Sequence, residues 1–132
     1  MYNPGMKSLS RYTEFSYAAL RVVSGALFAV HGAMKMFEVL GGSRPPFGTQ
    51  IWFGGLIELV GGALIAVGLR TRPAAFLCSG TMAVAYTQFH WKFATGAAFF
   101  PAVNQGELAV LYSFIFLYIA CRGSGPAALR PD

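Results

Sequence analysis

Four apolar stretches, residues 15–37, 51–69, 73–91 and 106–121, take up most of this 132-residue chain, and each is close to the length that crosses a bilayer. A helix rising 1.5 Å per residue needs about 20 residues to span a hydrocarbon core about 30 Å thick, and about 17 to 25 is the usual range. The last stretch is the shortest. Only residues 73–91 lack a formal charge; Arg21 and Lys35, Glu58, and Glu107 interrupt the others. Backbone groups in lipid have no water to bond, so a spanning segment is a helix or part of a closed barrel, and no stretch alternates as a barrel strand does. Composition agrees with lipid as the solvent: 55% of residues are hydrophobic and 11% charged, where soluble domains carry about 25% charged residues. Ten bases and five acids cannot cover the surface of a soluble fold this small. The expected fold class is therefore all-α, a four-helix transmembrane bundle in one domain over residues 1–132.

The connections fit that count. Gly41-Gly42-Ser43-Arg44-Pro45-Pro46-Phe47-Gly48 is a dense turn signal, Arg70-Thr71-Arg72-Pro73 ends one helix and starts the next, and residues 101–104 precede the last. Connections this short imply antiparallel neighbours. Lys7, Arg11, Arg70, Arg72, Arg122 and Arg130 fall on one side, with Lys35, Arg44 and Lys92 on the other. That excess places both termini in the cytoplasm of a multi-pass membrane protein. The first stretch is too long for the apolar part of a signal peptide, and no small-residue cleavage pattern follows it. Gly54-Gly55, Gly61-Gly62 and Gly68 give the second helix small residues that let a neighbouring backbone approach, which substitutes in lipid for the missing hydrophobic drive. Trp52, Trp91, Tyr12 and Tyr86 stand near helix ends, as interfacial aromatics do. The net charge of +5 is scattered, with no basic run to follow a phosphate backbone, so the expected partner is the lipid bilayer and not nucleic acid.

Ionisable residues inside these stretches demand an explanation, because a charge at the bilayer centre costs about 2.5–3.5 kcal/mol on insertion scales. At about 100° per residue, Arg21, His31 and Lys35 fall within about 80° of one another on the first helix, a face that must look into the bundle. Counted from the outer helix ends, His31 and Glu58 are level, roughly 10 Å below that interface by the helical rise. Lys35 lies a turn above, His90 ends the third helix on the same side, and Asn104 and Glu107 open the fourth. These six define a candidate ligand-binding or proton-handling pocket, roofed by Phe99, Phe100 and Pro101. Arg21 sits about 15 Å deeper than His31, near enough to the opposite surface to snorkel, with Tyr17 and Ser24 beside it.

Each feature also has a structural reading. Glu58 can simply neutralise Lys35 or His31 as a buried pair, and Asn104-Gln105-Gly106-Glu107 has the form of a capping box. His90 beside Trp91 and Lys92 fits an ordinary interfacial residue. Gathered at one end of a bundle, they describe a polar pocket suited to an amphiphile's head. A histidine near a carboxylate exchanges protons near neutral pH and Lys35 can stabilise a developing anion, which fits a quinone head or a small oxyanion. Haem between His31 and His90 is disfavoured because the two differ in depth by several residues. No metal is expected, since no ligand pair sits at helical i,i+3 or i,i+4 spacing. Cys78 and Cys121 both lie toward the reducing side, so a disulfide is not expected and buried apolar thiols are.

Three sequence elements carry a resemblance: His31-Gly32-Ala33-Met34-Lys35, then Gly68-Leu69-Arg70-Thr71-Arg72, then Asn104-Gln105-Gly106-Glu107, with Glu58, His90 and Phe99-Phe100-Pro101 between them. In this order and spacing they resemble the DoxX family of small bacterial integral membrane proteins, over roughly residues 21–125. The resemblance implies a four-helix fold in the inner membrane and a redox setting, since the family is named by likeness to a small subunit of a thiosulfate:quinone oxidoreductase. It makes His31, Lys35, Glu58, Asn104 and Glu107 the functional positions. Two functions follow as expectations: a small subunit of a membrane redox system with a quinone-type ligand in the outer pocket, or a non-catalytic structural or assembly subunit of a large respiratory or photosynthetic complex. The second draws on the glycine content and on a Pro/Gly-containing tail held by neighbouring subunits. The chain has no dinucleotide fingerprint or CxxC pair of its own. Solute or proton transport is a third reading; four helices without a repeat would need an oligomer for it.

Overall fold

The computed structural model describes residues 8–132; Lys7, counted above among the cytoplasmic bases, lies outside them. Helix α1 runs over Thr13–Phe37, α2 over Gln50–Val67, α3 over Thr71–Ala85 and α4 over Glu107–Arg122, and among the described residues there is no strand. Each helix begins or ends within a few residues of the expected boundary. Only α1 and α2 are, taken singly, long and apolar enough to cross a membrane. α3 has 15 residues, but a six-residue π-helix, Tyr86–Trp91, continues it without a break. A 3-10 turn (Gly96–Phe99) and a one-turn helix (Pro101–Asn104) then lead to α4.

Glycine decides how the helices pair. α1 lies along α2 with backbones nearly touching: a Cβ at Gly25 would stand 2.5 Å from Ala66 N, and one at Gly62 would stand 2.5 Å from Ala29 N. No side chain fits there, so the two helices gain dispersion contact that lipid cannot supply. Gly61 makes room for the Cys78 thiol on α3, and Gly55 for the Met36 and Lys35 side chains. Gly68, at φ +74, ends α2 in the left-handed conformation that a Cβ disfavours. Gly54 departs from the packing expectation, because a Cβ there would meet nothing within 4 Å.

α3 and α4 pair through hydroxyls: Ser79 Oγ donates to the Ser113 carbonyl at 2.7 Å, and Ser113 Oγ returns a bond to the Ser79 carbonyl at 3.1 Å. Between the two pairs the core is aromatic. Phe28 of α1 meets Tyr112 and Phe116 of α4 at ring centroid distances of 5.1 and 4.8 Å.

Arg21 corrects the sequence expectation. It does not snorkel; it is completely buried and its guanidinium donates to the carbonyls of Ser124, Pro126 (2.9 Å) and Ala127 (2.7 Å) in the C-terminal tail. That tail folds back across the helix ends. Leu129 N and Arg130 N donate to the Val67 and Gly68 carbonyls, Tyr17 Oη donates to the Gly123 carbonyl, and the Asp132 carboxylate accepts from Thr71 N (3.1 Å) and Arg72 N (2.9 Å) at the start of α3. The chain's own residues therefore hold the tail. The thiols divide: Cys78 is buried as expected, whereas Cys121 is exposed. Beside the tail, Arg122 pairs with Glu14, a contact that raises the Arg122 pKa.

Candidate functional site

At the opposite end of the bundle, where α1 ends and α2 begins, the helices part around a cavity of about 940 Å³. α1 contributes Phe28, His31 and Lys35; α2 contributes Glu58 and the turns above it; α3 and its π extension contribute residues between Phe76 and His90, and Gln105 with Leu108, Ala109 and Tyr112 of α4 complete the lining. The lining is largely apolar, with its charged and imidazole groups at the end of the bundle remote from the tail.

Lys35 and Glu58 form the centre. Lys35 Nζ donates to both carboxylate oxygens of Glu58, at 2.8 and 2.9 Å, and Glu58 is only 5% exposed. The pair exists because α1 and α2 run so close at Gly32 and Gly55, where any Cβ would strike the neighbouring helix. In a medium of low dielectric such a pair stands only with both partners in place. The sequence reading left open whether Lys35 or His31 would neutralise Glu58, and among the described residues the carboxylate is held by Lys35. The His31 ring instead meets Tyr112 edge-on, centroids 6.5 Å apart, and lines the same cavity. An imidazole and an ion pair thus share one largely apolar chamber, groups whose chemistry suits proton exchange and the fixing of a polar head group.

His90 reaches the cavity through a change of helix type. With i→i+5 pairing, marked by Lys92 N donating to the Thr87 carbonyl at 2.9 Å, each turn holds more residues. The face carrying Ala85 is therefore continued by Phe89 and His90, both of which line the cavity. The His90 ring stacks on Tyr86 and its Nδ1 lies 3.4 Å from the Asn104 carbonyl. Nothing in the sequence signalled this turn.

Asn104 and Glu107 stand elsewhere. Asn104 closes the one-turn helix begun by Pro101: its amide donates to the Ala98 carbonyl (3.0 Å) and the Tyr86 hydroxyl (3.2 Å), and its Oδ1 accepts from Gly106 N. The expected capping box is not formed, because Gly106, not Asn104, occupies the cap of α4. Glu107 is exposed in the first turn of α4, where its charge suits the helix dipole. Neither residue lines the cavity, and Phe99 and Phe100 are exposed beside it, not a roof over it. Sequence reading missed Gln50, whose Nε2 donates to Gln88 Oε1 at 2.7 Å and ties α2 to the π segment at the cavity mouth. Two amides near the ends of apolar stretches were the available signal.

The DoxX family model matches residues 16–91, which include His31, Lys35, Glu58 and His90 but not the Asn104–Glu107 element. A Haemophilus influenzae protein named "Uncharacterized protein" is 41% identical over 128 residues, covering 94% of this chain and 95% of its own. A Bacillus subtilis protein named "Putative oxidoreductase CatD" is 29% identical over 129 residues, covering 93% and 90%. No solved structure matches. With more than half of its length matched by the family model and a relative this similar across nearly its whole length, the chain belongs to the DoxX family of membrane proteins.

Proposed function

We propose that this protein is a small subunit of a quinone-linked redox system of the bacterial inner membrane, crossing it four times with both termini in the cytoplasm. Two helices of spanning length and apolarity support the membrane setting, and the oxidoreductase name of one relative supports the redox one. The observation that carries the reading is the Lys35–Glu58 pair with His31 in one largely apolar cavity. A quinone head is a planar, uncharged ring with two carbonyl acceptors, so it needs donors and a proton relay set in hydrocarbon surroundings. His31 and Lys35 are the side-chain donors in reach, and Glu58 holds the Lys35 side chain in place through both carboxylate oxygens. In this reading a partner protein supplies the electrons, and this chain's own side chains bind, orient and handle protons.

The test is binding of a benzoquinone by purified protein in nanodiscs, compared among the native protein, Glu58→Gln and His31→Ala. Each substitution is expected to weaken binding on the order of tenfold, the worth of one lost charge-assisted contact. Unchanged affinity in both would overturn the reading. The competing reading, a structural subunit with no site, drew on a tail held by neighbours; the Arg21 and Asp132 contacts supply that hold from within the chain.

A further inference from the structure

Gly54 and Gly80 are helical glycines of a different kind from those that seat the helix pairs. Both line the cavity, one on α2 and one on α3, and a Cβ on either would meet nothing within 4 Å. A glycine in a helix interior costs about 1 kcal/mol relative to alanine, and neither is needed for a neighbour's approach. What they do is leave the seam between α2 and α3 open. The antiparallel register, fixed by Gln50 against Gln88 and Gly61 against Cys78, sets Gly80 level with Glu58. Gly80 is exposed, and so are Phe76 and Leu77 one turn nearer the tail end, yet all three line the cavity. The chamber that holds the ion pair therefore opens sideways, toward hydrocarbon, at the level of its own polar groups.

We infer that the gap at Gly80 is a lateral portal through which the ligand's alkyl chain passes into the bilayer, so that the ligand class is a tailed, membrane-dissolved amphiphile and not a small solute from water. This rests on the head-binding role proposed for Lys35, Glu58 and His31 and adds to it where the rest of the molecule lies. The head sits at the polar end, and the chain runs over Phe76 and Leu77 toward the bilayer centre. Lateral access suits a ligand whose tail never has to leave lipid.

The experiment compares two benzoquinones with the same ring, one carrying a ten-carbon chain and one with methyl groups only, titrated into native protein, Gly80→Phe and Gly80→Leu in nanodiscs. The portal predicts that both variants lose affinity for the tailed compound on the order of tenfold or more, the scale at which a misfitting side chain discriminates in a pocket, while affinity for the tailless compound stays within about twofold. Val60→Phe, on an exposed face of α2 outside the cavity, is the control and leaves both unchanged. Equal loss for the two compounds, or no loss for either, overturns the portal and leaves the head site intact. Failure of the native protein to bind either compound overturns both. Gly80→Leu guards against misfolding of the larger variant, and matched unfolding temperatures show that the seam, not the fold, was changed.

Discussion

α1 brings two cations into the bundle, Arg21 and Lys35, on one helical face, and the protein treats them in opposite ways. At the tail end Arg21 is sealed: completely buried and, among the described residues, paired with no carboxylate, it is held by three carbonyls of a segment that folds back over the helix ends. At the cavity end Lys35 is paired with a carboxylate and borders about 940 Å³ of open space. Neutral carbonyls suit a cation that never changes state, because nothing in the shell can titrate. An ion pair in a chamber that an imidazole also lines suits groups that change partners when a ligand arrives. The difference separates a structural clamp from a candidate site built from the same residue class.

The largest expected effect tests the clamp. Arg21→Met removes the donor of three tail carbonyls, that of buried Ser124 and those of exposed Pro126 and Ala127; a hydrogen bond to a charged group contributes about 1.5–3 kcal/mol, and with relief from the buried charge as an offset, a loss of about 3 kcal/mol or more is expected. It should appear as a lower unfolding temperature in detergent and as rapid proteolysis of residues 123–132. A variant as stable as the native protein would mean that water enters that end, and the contrast would dissolve.

A smaller effect is expected at the other end. Lys35→Met or Glu58→Met alone should cost about 1–3 kcal/mol, less than a fully buried pair because the Lys35 side chain is 35% exposed. The double variant should recover most of it, since an apolar pair incurs no desolvation, while the proposed quinone binding stays weakened. A double variant as unstable as the sum of the two singles would make this pair a second clamp.

Asp132 gives the smallest effect. Its carboxylate caps the first amides of α3 from the far end of the chain, so Asp132→Asn should cost about 0.5–1 kcal/mol, read as faster hydrogen exchange at Thr71 and Arg72. Exchange rates that do not change would show that Arg21, and not the capping carboxylate, holds the tail by itself.

How much of this was legible depends on what each residue's environment requires. Gly55, Gly61, Gly62 and Gly68 were readable as packing residues because close approach admits nothing else, whereas Gly54, identical in the sequence, leaves open space. Arg21 was misjudged because depth counted along one helix is blind to a tail returning from a hundred residues away. Asn104 carries the right residue for a cap, but Pro101 starts its own turn and spends Asn104 inside the loop. The π segment left no mark, since π and α hydrogen-bonding differ by one residue in a stretch whose composition suits both.

The sequence by itself determined that four helices form, roughly where each ends, and that Arg21, Lys35 and Glu58 must turn away from hydrocarbon, because apolar length, helix-ending residues and the cost of a charge in lipid are properties of the chain alone. Only the tertiary structure decided which partner each charge would take, which glycines would touch a neighbour and where the bundle would stay open. Those outcomes turn on the register and rotation of one helix against another, where a shift of one residue swings a side chain by about 100° and exchanges a carbonyl, a carboxylate or an empty seam for its neighbour.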